Sequence, residues 1–173
     1  MSAVIVITGP RAAGKSTFAA GIHRTLVGSI LLHVDEPFHR VMDENRERWA
    51  GNEIELYDIV LRHQLGLARD LAMAGSYVIV DATVLPDQLA PLREMPAPDI
   101  SIIVLLPSLE DCLANEHRAT RMVPVREEKV AATWQKMQAW RQVSDVSVQL
   151  IEENEPGLTA ILSALITRLK SAG

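Results

Sequence analysis

One cysteine is all this 173-residue chain carries, so no internal disulfide can form, and a reducing setting is expected. That residue, Cys112, has Leu109 and Leu113 as its nearest apolar neighbours at helical spacing, which predicts a small core residue rather than a nucleophile. Long apolar runs are missing too. Nothing approaches the ~20 residues that a membrane span needs, and the short apolar N-terminal run has no basic segment before it, so no signal peptide is expected. Positive charge is in deficit: 17 Lys and Arg stand against 22 Asp and Glu, a formal net charge of −5. This argues against a dedicated nucleic-acid binder and leaves room for a local basic patch at most. No internal repeat, low-complexity segment or linker divides the chain. His23, His63 and His117 show no metal-ligand spacing, so no zinc site is expected. What remains is an ordinary globular balance of 48% apolar and 23% charged residues, enough for one cytoplasmic domain spanning 1–173 with a real core.

What is present is concentrated in nine residues. Gly9-Pro10-Arg11-Ala12-Ala13-Gly14-Lys15-Ser16-Thr17 matches G-x-x-x-x-G-K-[ST], the Walker A phosphate-binding loop. Ahead of it, Ala3 to Thr8 is a β-branched apolar stretch that reads as a buried strand. Behind it, Phe18, Ala19, Ile22 and Leu26 recur near helical spacing. Gly9 and Gly14 let the backbone curl around phosphate oxygens, and a helix starting near Lys15 adds the positive end of its dipole. Lys15 would reach the β- and γ-phosphates, and the Ser16 hydroxyl would ligate Mg²⁺. The stretch predicts binding of a nucleoside triphosphate.

Further along, Ser29–Val34 reads as a second strand ending at Asp35, followed by a polar, irregular stretch from Glu36 to Glu53. A long amphipathic helix comes next, with Tyr57, Val60, Leu61, Leu71 and Ala72 on one face and Gly75 as its stop. Tyr77–Val80 is a third strand, ending at Asp81. Pro86–Glu94 suggests a short helix, Ile100–Leu106 a fourth strand, and Leu109–Arg118 a helix leading into an arginine-bearing turn. A helix beginning near Pro124 runs to about Gln142, and Val146–Ile151 forms the fifth strand. A last helix carries Leu158, Ile161, Leu162, Leu165, Ile166 and Leu169. Five apolar strands alternating with helices predict an α/β domain with a parallel sheet covered on both faces. Such sheets bind ligands beyond the carboxyl ends of their strands, so the Walker loop, Asp35, Asp81 and the arginine turn should share one crevice.

Several side chains there have two readings. Asp35 could orient and deprotonate an attacking hydroxyl, or begin a helix as a cap before Glu36-Pro37. Asp81 could hold Mg²⁺ or contact the acceptor, with Thr83 just beyond it, or be an ordinary strand-end residue. Arg118, Arg121 and Arg126, in a lid at about 117–127, could stabilise charge on the transferring phosphoryl group, or pair with Glu116, Glu127 or Glu128 on the surface. Phe38, Arg40 and Trp49, in an acceptor region at 36–56, could position a small polar molecule, or the two aromatics could pack beneath their loop.

Together these residues resemble the small P-loop kinases of metabolites, a group that includes shikimate kinase, gluconate kinase and chloramphenicol phosphotransferase. The nearest likeness is to the chloramphenicol phosphotransferase-like branch, through Val34-Asp35, then Ala72-Met73-Ala74-Gly75, then Tyr77-Val78-Ile79-Val80-Asp81. The resemblance implies a three-layer P-loop NTPase fold with sheet order 2-3-1-4-5 and Asp35 as the base. It also implies adenine near Glu152–Pro156, with ATP and Mg²⁺ as reactants. The expected activity is phosphoryl transfer to a hydroxyl of a small-molecule acceptor, by a monomer or homodimer. The alternatives are a nucleoside or polynucleotide 5′-hydroxyl kinase, and a nucleotide-binding switch or slow hydrolase.

Overall fold

A computed structural model of the chain describes residues 2–89, 99–118, 126–145, 147–152, 163 and 167. Five parallel strands form the centre: β1 (Ala3–Thr8), β2 (Ile30–His33), β3 (Tyr77–Asp81), β4 (Asp99–Leu105) and β5 (Val148–Ile151). Their order is β2-β3-β1-β4-β5, as the resemblance implied. The helices are α1 (Lys15–Thr25), α2 (Asp35–Glu44), α3 (Arg46–Trp49), α4 (Glu53–Met73), α5 (Leu109–Arg118) and α6 (Glu127–Met137). Tight 3₁₀ turns lie at Pro86–Leu89 and Gln138–Gln142. Among these residues no helix is long and apolar enough to cross a membrane.

The continuous apolar strands reflect burial on two faces. Along β1, Val4 and Val6 join one core with Val78, Val80, Ile102 and Val104, beneath α4. Ile5 and Ile7 point the other way, into a second core with Ile79, Ile103 and Leu105, against Phe18 and Ile22 of α1 and Cys112 of α5. The alternation is the period-two geometry of a strand with no solvent face. Cys112 is fully buried in that second core.

α4 stops where the sequence indicated. Gly75 takes a left-handed φ of 99°; its N–H donates to the Ala72 carbonyl and that of Ser76 to the Leu71 carbonyl, the paired bonds of a Schellman ending.

The expectation of an irregular 36–53 stretch is wrong. α2 begins at Asp35 itself and α3 follows after Asn45. Pro37 falls in the first turn, where an N–H has no intrahelical partner to lose, and Asp35 and Glu36 sit at the positive end of the dipole. Phe38, Val41 and Met42, at helical spacing, pack against the first core. Of the expected Pro86–Glu94 helix, Pro86–Leu89 forms a 3₁₀ turn, and the remainder lies outside the described residues. Outside them as well are Arg121, the turn at 119–125, the 153–156 segment and the apolar face of the last helix.

Candidate nucleotide and acceptor site

β1 is buried along its whole length and delivers the chain to the sheet's carboxyl edge at Thr8. Gly9 follows, packed so closely on β4 that a Cβ there would collide with the Leu105 carbonyl oxygen. The loop then curls through Ala12, whose φ of 61° is rare for a residue with a side chain, and Gly14, left-handed at φ 85°, before α1 starts at Lys15. Strain at a non-glycine position persists only where neighbours enforce it. Here the Asn115 side-chain amide, on α5, donates to the Ala12 carbonyl at 3.1 Å. The first N–H groups of α1 thus open onto a cavity with no intrahelical carbonyl to satisfy them.

That cavity has a volume of about 1040 Å³. The loop from Arg11 to Thr17 forms one wall, and Asp35 and Phe38 of α2 with Tyr57 of α4 form another. Thr83 and Gln88 line it beyond β3, and Asn115 and Arg118 come from α5. Of the residues that the sequence placed in one crevice, the phosphate loop, Asp35 and Arg118 line the cavity, whereas Asp81 is buried outside its lining. Arg40 is not among them: it is exposed on the outer side of α2, near Glu44. Trp49 packs at the margin of the first core with Arg48 over its ring. Arg126 is exposed just ahead of α6 and does not line the cavity. The helical winding of 35–49 explains the first two, because a helix turns successive side chains away from any one wall.

Lys15 is buried, and its Nζ donates to the Pro10 carbonyl at 2.9 Å. Desolvation lowers its pKa below the ordinary 10.5, opposed by the negative charges of Asp81 and then Asp35. Asp35 is exposed to the cavity as the first helical residue of α2, with Val34 in the cap position. Asp81 is buried, and its Oδ2 accepts a hydrogen bond from His33 Nδ1 at 2.9 Å. The Thr83 N–H donates to the Tyr57 hydroxyl at 2.8 Å. Burial, followed by the charge of Asp35, pushes that hydroxyl's pKa well above its ordinary value of 10.0, so it stays protonated. Gln88 bridges the walls, accepting from the Leu85 N–H and donating to Asp58 Oδ1.

Four of these residues escaped sequence reasoning. Tyr57 was assigned to the core face of its helix, and its hydroxyl end left no signal. His33 sits one turn of the alternation before Asp35, where a strand-terminal histidine reads as filler. Asn115 and Gln88 act through contacts distant in the chain.

The oxygen donors available also suit a hard cation. Mg²⁺ is bound through one or two carboxylates plus substrate phosphates, not by an all-protein cage. Among the described residues no group of three or more His, Cys, Asp or Glu side chains is gathered around one point, while the Ser16 hydroxyl is exposed and Asp81 lies within electrostatic reach of Lys15.

Solved structures similar in fold include a gluconokinase from Sinorhizobium meliloti 1021 (TM-score 0.68, 18% identity, 96% of this chain and 93% of that one). A shikimate kinase from Bacteroides thetaiotaomicron aligns at TM-score 0.62 with 16% identity, covering 97% and 98%. The tunicamycin resistance protein of Deinococcus radiodurans aligns at TM-score 0.67 with 16% identity, covering 98% and 96%. At such identities the likeness establishes the P-loop kinase fold. Among curated proteins none matches the sequence. The family described as AAA domain matches residues 4–143, and the chain belongs to it.

Proposed function

We propose that this member of the AAA domain family is an ATP-dependent phosphotransferase that moves the γ-phosphoryl group to a hydroxyl of a small molecule. The observation that carries the reading is a carboxylate, Asp35, facing the same cavity as Lys15 of the phosphate loop and close enough for its charge to act on that lysine. A carboxylate there would repel a γ-phosphate, so it needs a task other than nucleotide binding. Orienting the acceptor hydroxyl and taking its proton as the oxygen attacks phosphorus is such a task.

In this reading the loop N–H groups and Lys15 hold the phosphates, and Arg118 approaches from α5 to offset charge on the transferring group, with Arg121 and Arg126 as further lid candidates. Ser16 and Asp81 would hold Mg²⁺, which supplies charge neutralisation at the phosphate oxygens. Phe38, Tyr57 and Thr83 bound the space left for the acceptor. Support also comes from the small-molecule kinases among the fold neighbours.

Asp35→Asn tests the assignment. It keeps the shape and one acceptor oxygen but removes the base, so phosphoryl transfer should fall roughly a hundred- to ten-thousandfold, while ATP-analogue binding holds or tightens slightly. Both are measured on one preparation. Normal transfer would leave Asp35 a surface residue of α2; loss of nucleotide binding would make its role structural or metal-linked.

A further inference from the structure

Lys15 lines the cavity and Asp81 is buried outside its lining, and the two opposite charges do not pair. Asp81, only 6% exposed, is the strongest opposite charge acting on buried Lys15. Yet the Lys15 ammonium donates to the Pro10 carbonyl, and Asp81 Oδ2 is occupied by His33 at 2.9 Å. Among the described residues His33 is the ion-pair partner Asp81 has. A buried lysine and a nearby buried carboxylate gain by meeting, because low dielectric magnifies their attraction. Something therefore holds the carboxylate back.

The sheet register shows how. His33 and Asp81 are directly paired residues on the parallel strands β2 and β3, so both side chains leave the sheet on the same side and meet without any loop to arrange them. The main chain at Asp81 is fixed by the same neighbourhood: its carbonyl accepts from the Val34 N–H at 3.0 Å, and the next N–H, of Ala82, donates to Ile7 of β1 at 3.1 Å. The aspartate is thus clamped at its side chain by the last residue of β2 and at its backbone by Val34 and β1.

We propose that His33 is a positioning residue that holds Asp81 away from Lys15, so that the loop ammonium remains available to nucleotide phosphates. The proposal rests on reading the cavity as a nucleotide site. Without His33, the carboxylate swings to Lys15 and competes with phosphate for it. With His33, Asp81 acts on Lys15 through its charge without capturing the lysine. Nucleotide entry then displaces a neutral carbonyl from Nζ instead of breaking an ion pair.

The experiment measures ADP affinity by calorimetry in EDTA, where the contest between Asp81 and the phosphates is read with no metal present. The variants are His33→Ala, His33→Leu (volume without a donor), His33→Asn (a side-chain N–H retained), Asp81→Asn, and each His33 variant combined with Asp81→Asn. The Ala and Leu variants should weaken ADP about ten- to hundredfold, the scale for losing a partner that orients a site residue. His33→Asn should recover most of the affinity. In the Asp81→Asn background the His33 changes should have no further effect, since the competitor is gone. Should one of the Ala and Leu variants melt below assay temperature, the other decides. Unchanged affinity in the donor-less variants overturns the proposal, and so does an equal loss in the Asp81→Asn background, which would mark His33 as general support for the strand end. A wild-type protein that binds no ADP at all, by contrast, removes the nucleotide reading itself and this proposal with it.

Discussion

Lys15 concentrates the site's electrostatics. Its pKa is lowered from 10.5 by burial, whereas a phosphate anion against Nζ would favour the charged form and raise it again. Nucleotide binding should therefore take up protons in the interval between the lowered value and the ordinary one, and affinity should fall as pH climbs through that interval. Calorimetry in two buffers of different ionisation enthalpy, repeated with Lys15→Met, checks this; zero proton uptake on the alkaline side would contradict it. The same linkage has a sign for stability. In that interval the unfolded chain binds more protons at Lys15 than the folded one, so this residue's contribution to stability rises with pH. Single residues were legible in the sequence when a motif named them, as with Lys15 and Ser16. Asp35 and Asp81 were legible by place alone, each beyond an apolar strand. His33 was not, because its meaning lies in the strand that pairs beside it, and pairing is set by sheet order.

The elements show where local patterns suffice and where they fail. β1, α1, β3, α4 and α5 were readable because their apolar periods and end signals agree, Gly75 closing α4 being one instance. α2 was missed because Pro37 and a run of charged residues look like a loop, although a proline in the first turn costs a helix nothing. Its apolar set, Phe38, Val41 and Met42, is short and finds its stability in the first core rather than in propensity. The phosphate loop depends on an element far away in sequence. The Asn115 amide of α5 donates to the Ala12 carbonyl, at the one described non-glycine residue with positive φ. Asn115→Ala should therefore loosen the loop and weaken nucleotide binding by about fivefold, the equivalent of roughly 1 kcal/mol for one hydrogen bond. Melting temperature without nucleotide should move little. Unchanged affinity would show that the loop holds its shape unaided.

At the scale of the whole molecule, two cores on opposite faces of one sheet bring five strand ends to a common edge, and this makes a single crevice from residues as far apart in the chain as Arg11 and Met137. Trp140, in the 3₁₀ turn that follows α6, ties that turn into the frame: it is 1% exposed, and its indole N–H donates to the Val84 carbonyl, which also accepts from Thr8 Oγ1. Trp140→Phe should lower unfolding free energy by about 1–3 kcal/mol, from a lost hydrogen bond and incomplete filling, as read by urea denaturation. A value near zero would mean that the 3₁₀ turn after α6 is not coupled to the sheet. The α/β class and the parallel sheet were legible because doubly buried strands leave apolar runs that no loop imitates. The cavity wall opposite the phosphate loop was legible only in part: Phe38 and Thr83 stood out as candidates, whereas Tyr57 and Gln88 did not, because these four residues come from three segments that only the assembled sheet brings together. The most direct measurement is ADP formation from ATP and Mg²⁺ across hydroxylated antibiotics, sugar acids, nucleosides and oligonucleotide ends, with mass spectrometry of the acceptor and Lys15→Ala as control. The account predicts acceptor-dependent ADP release, a product heavier by one phosphoryl group, and loss of at least about a hundredfold in the control. ADP release that ignores every acceptor, or a fully active Lys15→Ala protein, would contradict it.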